Sequence, residues 1–71
     1  MSLESWKLIF SSGDRVNVEV LQGLLKEYDI ESVILNKQDS AYLFGDVELY
    51  VSVENVLRAL QIIRNSDPTD I

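Results

Sequence analysis

The chain has 71 residues, a hydrophobic fraction of 46% and a net charge of −6, the profile of one small soluble globular domain rather than of a disordered segment. It contains no cysteine and no histidine, which excludes disulfide staples, the usual zinc ligand sets, thiol nucleophiles and serine–histidine triads. Six scattered Lys and Arg residues against twelve Asp and Glu argue against nucleic acid and anionic membranes as partners.

Trp6-Lys7-Leu8-Ile9-Phe10-Ser11 is short and rich in bulky and β-branched residues, and Ser12-Gly13 closes it: a strand, then a turn. Its two faces, Trp6/Leu8/Phe10 and Lys7/Ile9/Ser11, leave open which one points inward. Asp14 is a credible helix N-cap. After it, Val16, Val20, Leu21, Leu24, Leu25 and Tyr28 recur at helical spacing and predict one buried stripe. Gly23 inside that helix costs about 1 kcal/mol relative to alanine, and close packing against a sheet is its simplest explanation. The helix is expected to end at Asp29, where a left-handed residue is wanted and Asp is tolerated.

Ser32–Asn36 reads as a second strand. Asp46–Ser52 reads as a third, with Val47, Leu49 and Val51 on one face and Asp46, Glu48, Tyr50 and Ser52 on the other. Ser52 then looks like the cap of a second helix running to about Asn65, with Val56, Leu57, Leu60 and Ile63 as its stripe. Glu54 near its start and Arg64 near its end complement the helix dipole. The expected domain is 5–65, followed by a polar tail, 66–71.

The order β-α-β-β-α predicts an α+β, ferredoxin-like sheet without its final strand, in the order 1-3-2, with both helices on one face. The first strand then has a free edge, and the uncovered face carries Tyr50, with Ile34 expected beside it and Ile9 as well if Trp6, Leu8 and Phe10 point inward. Free edges and partly apolar faces invite pairing. A chain this small buries only about 60% of its unfolded surface. With disulfides and zinc excluded, self-association is the staple still open. A homodimer through the first-strand edge or the open sheet face is therefore expected.

The connection Lys37-Gln38-Asp39-Ser40-Ala41-Tyr42-Leu43-Phe44-Gly45 exceeds the usual two to five hairpin residues and places aromatics where polar turn residues belong. Either these side chains fold back over the core, or Tyr42 and Phe44 anchor a partner. The candidate contact residues are Trp6, Lys37, Asp39, Tyr42, Leu43, Phe44 and Tyr50.

Trp6, Glu19, Leu24-Leu25, Ile30, the run Asn36–Tyr42, Phe44-Gly45 and Glu48–Val51 together resemble a bacterial family of putative prokaryotic signal-transducing proteins, over residues 6 to 64. The loop and the third strand are the most specific part. The resemblance implies a fold like that of the PII nitrogen regulators and a signalling role. Asp29 departs from the pattern, where relatives often carry glycine. Nucleotide or 2-oxoglutarate binding does not carry over, because residues 37–45 form a much shorter loop and Lys37 is its only base.

Catalytic and cofactor chemistry finds little support. Ser11-Ser12-Gly13-Asp14 has one glycine, no adjacent lysine, and a carboxylate that would repel phosphate. Asp46 and Glu48, even with Asp39, are most simply solvated carboxylates. Acylphosphatases share the complete form of this fold, but the glycine-rich cradle they need beside an arginine is missing around Arg15. The expectation is a non-enzymatic regulatory module with no cofactor and no metal, in contact with itself, an unidentified protein or a small ligand. The alternative is a small-molecule sensor with its site beside residues 37–45, lined by Tyr42, Phe44 and Tyr50. No apolar stretch reaches the ~20 residues that span a bilayer, so a cytoplasmic location is the default expectation.

Overall fold

A computed structural model describes residues 5–38 and 45–66. The elements are β1 (Trp6–Ser12), α1 (Arg15–Glu27), β2 (Ser32–Asn36), β3 (Val47–Ser52), a 3-10 turn (Val53–Asn55) and α2 (Val56–Asn65). β3 lies between β1 and β2 and is antiparallel to both. Both helices pack on one face, so the architecture is the α+β, ferredoxin-like arrangement expected, with strand order 1-3-2. Asp46 lies just outside β3, and its carbonyl accepts the Lys37 amide at 3.0 Å, closing the base of the hairpin.

Local chemistry sets the ends of α1. The Asp14 carboxylate accepts the Val16 amide at 3.0 Å, satisfying one donor of the first turn. At the other end Asp29 adopts φ 62°. The Asp29 amide reaches the Lys26 carbonyl and the Ile30 amide reaches the Leu25 carbonyl, each at 3.0 Å. This is a Schellman cap, with Ile30 packed into the same buried cluster as Leu25. Asp29 therefore takes the left-handed position anticipated for it.

Val18, Leu25, Ile30, Val47, Leu49, Val51 and Ala59 are fully buried, with Ile9, Phe10, Leu21, Ile34, Val56 and Ile62 packed around them. The alternation read from β3 is the alternation observed. Both helix stripes differ from expectation. In α1 the inward residues are Val18, Leu21 and Leu25, whereas Val16 and Val20 are 61% and 63% exposed. At about 100° per residue Val16 and Val18 lie about 160° apart around the axis, so one must face water. In α2 Ala59 and Ile62 turn inward while Leu57 is 84% exposed and Leu60 is also exposed. The start of α2 is corrected as well: the chain passes from Ser52 through the 3-10 turn, and the Ser52 side chain makes no capping hydrogen bond.

β1 explains why its faces could not be separated by alternation. Its register with β3 shifts between Leu8, opposite Tyr50, and Phe10, opposite Leu49. Ile9 is the extra residue of a β-bulge, and both Ile9 and Phe10 pack on the core. Trp6 and Leu8 share the open face with Tyr50, and Ser11 shares it with Glu48. Ile34 pairs with Leu49 on the core side, so Ile34 is corrected from an open-face to a core residue, and Ile9, which alternation left open, is a core residue too. Gly23 is corrected too. A Cβ built there meets nothing within 4 Å, so close packing does not account for it.

Candidate functional site

The face of the sheet opposite the helices has no element over it among the described residues. Register places Trp6, Leu8 and Ser11 of β1, Glu48, Tyr50 and Ser52 of β3, and Val33 and Leu35 of β2 on this side. Leu8, Tyr50 and Val33 form one row across all three strands. Leu8 is 48% exposed, Val33 44% and Leu35 45%. A surface of this kind, apolar and continuous across strands, is a typical contact patch.

At its centre is a polar unit. The Tyr50 hydroxyl donates to Glu48 Oε1 at 2.7 Å, and Lys37 Nζ lies 3.3 Å from the same oxygen. The Glu48 side chain is only 15% exposed. The Tyr50 hydrogen bond holds the Glu48 carboxyl below its ordinary value, against the opposing effect of desolvation and with help from Lys37. The same bond pushes the Tyr50 phenol up. Glu48 is thus a fixed, neutralised acceptor rather than the solvated carboxylate expected of it. Among the described residues no group of three or more acidic side chains is placed to hold a metal ion.

The root of the 37–45 connection is held from several sides. The Gln38 amide donates to Asn36 Oδ1 at 2.9 Å, and Gln38 Nε2 donates to the Gly13 carbonyl at 2.8 Å. Gly45 has φ 101°, and a Cβ there would lie 2.6 Å from the Lys37 carbonyl oxygen. Only glycine fits this position without displacing backbone.

Of the seven candidate contact residues, Trp6, Lys37 and Tyr50 come together on or beside the open face. Asp39, Tyr42, Leu43 and Phe44 lie outside the described residues. Leu8, Val33 and Leu35 belong to the face and were missed, and Glu48, read onto that face, was absent from the contact candidates. For Val33 and Leu35 the usable signal was their pairing with outward Tyr50 and Glu48 in a hairpin closed by Asn36 and Val47. Arg15 sits in α1, where it pairs with Glu19 at 3.5 Å on an exposed surface. The Asp14 carboxylate itself takes the Val16 amide at the start of α1, where an anion would have to bind.

A cleft of about 610 Å³ lies at the other end of the sheet, lined by Glu19, Gln22, Gly23, Lys26 and residues 29–32. There Gln22 Nε2 donates to the Ser32 carbonyl at 3.3 Å. The Ser32 hydroxyl is buried and has no hydrogen-bond partner among the described residues.

Among the described residues these features define a ferredoxin-like α+β domain with both helices on one sheet face and no element over the other. The chain belongs to the family described as putative prokaryotic signal transducing protein, whose model matches residues 6–67. Comparison with curated proteins and with solved structures found no match. No helix among the described residues is long and apolar enough to cross a membrane.

Proposed function

We propose that the domain is a non-enzymatic, cytoplasmic regulatory module that works by protein contact through its open sheet face. The observation that supports this reading is the apolar row Leu8–Tyr50–Val33, flanked by Trp6 and Leu35 and with no covering layer among the described residues. The exposed apolar surface of that row gains further stabilisation when it is covered. Tyr42 and Phe44 belong to the proposal as candidate anchors in the adjoining loop. Kinship with PII regulators extends in it to a regulatory role and stops short of nucleotide binding, since the Lys37 ammonium is already engaged by Glu48.

The sensor reading is favoured by one observation, the cleft bordered by Gly23 and Ser32. That cleft lies at the opposite end of β2 from residues 37–45, so it supports a sensor with a different site from the one expected.

The test is affinity capture from the source cells with wild type, Val33→Lys on the open face and Leu57→Glu on the helix layer. Wild type and Leu57→Glu should retain the same proteins and Val33→Lys should lose them. Identical retention by all three would remove the support for the face.

A further inference from the structure

We infer that the occupant of the open face is a second copy of this chain, packed sheet against sheet about a two-fold axis. The inference rests on the reading of that face as the contact surface and names its partner. Charge is the first argument. Each copy carries −6, so most approaches between two copies are repulsive. Of the residues that register places on the open face, Glu48 alone is charged, Lys37 compensates its charge, and the Tyr50 hydroxyl donates to it. The open face therefore lets two acidic copies meet at little electrostatic cost.

Register then selects the orientation. An axis along β3 would set Glu48 against its own twin. An axis along the row Leu8–Tyr50–Val33 runs the facing strands antiparallel and separates the two carboxylates. Each of the three apolar residues then meets its counterpart, and Glu48 meets the Ser52 hydroxyl of the partner subunit. The edge of β1, the other candidate for self-pairing, is broken by the bulge at Ile9, a device that discourages edge pairing.

Area sets the strength. A face of three strands and about five residues each covers roughly 14 × 17 Å. Side-chain relief raises this to roughly 500 Å² per copy, below the ~800 Å² of a standard stable interface. The dimer should therefore be weak, dissociating in the range of about 10 μM to 1 mM.

Sedimentation of the full chain over about that range of concentration tests the inference. Wild type and Leu57→Glu should show the same concentration-dependent dimer. Val33→Lys should remain monomeric with an unchanged circular dichroism spectrum. Leu35→Lys makes the same test from the other end of β2, so loss of fold in one variant leaves the result readable. A wild type that stays monomeric at about 1 mM overturns the inference, and so does a dimer that survives Val33→Lys and Leu35→Lys or is lost in Leu57→Glu. A monomeric wild type whose captured proteins still depend on Val33 would leave the contact face standing and refute only the second copy as its occupant.

Discussion

Replacing Gly45 with alanine tests the root of the 37–45 connection. At φ 101° an L-residue is strained, at a cost of about 1–2 kcal/mol. The new Cβ would also lie 2.6 Å from the Lys37 carbonyl oxygen and 3.2 Å from its carbon. Relief requires moving backbone that the Lys37–Asp46 hydrogen bond holds at 3.0 Å, adding about 1–2 kcal/mol. The sum, about 2–4 kcal/mol, is a large share of the ~4–10 kcal/mol expected for a chain of this length. Urea unfolding followed by circular dichroism should show a midpoint lower by about 2 M or more if the slope is near 1 kcal/mol/M. Gly23→Ala is the internal control. Its Cβ meets nothing within 4 Å, and it should raise stability by about 0.5–1 kcal/mol through helix propensity alone. A Gly45→Ala midpoint indistinguishable from wild type would refute the geometry of the hairpin root. A destabilised Gly23→Ala would refute the open position assigned to that glycine.

The Tyr50→Phe variant should let the Glu48 pKa rise toward its ordinary value of 4.5, read by carboxylate chemical shift against pH. Because the folded-state value is depressed, the stabilisation from Glu48 is present above its unfolded pKa and is lost as pH falls through the folded value. Glu48→Gln should remove that part of the acid limb, measured as urea midpoint against pH; an unaltered acid limb would contradict the assigned network. Asp29→Gly should stabilise the fold by about 0.5–1 kcal/mol by relieving a left-handed non-glycine residue. Thermal unfolding measures this, and a lower midpoint would contradict the cap geometry.

Element order, the inward face of β3, the Asp14 cap and the turn at Asp29 were all legible in the sequence, because each depends on local patterning. The errors share a different cause. Val16, Val18 and Val20 offer α1 more than one apolar face, and tertiary packing chooses Val18. β2 is apolar from Val33 to Leu35, so its outward residues become visible only when β3 fixes the register. The bulge at Ile9 shifts β1 midway and defeats any reading by strict alternation. Glu48 looked like a solvated carboxylate because its partner Lys37 lies eleven positions away, across a hairpin whose base had to be placed first. Gly23 was assigned to close packing by habit of residue type, and the space beside it is open.

The central claim is that the open sheet face is the contact surface. A photo-crosslinking amino acid placed at position 33, and in a separate protein at position 57, tests it inside cells. Covalent adducts are expected from position 33, including a band at twice the chain mass, and none from position 57. Adducts from position 57 with none from position 33 would place the contact on the helix layer and contradict it.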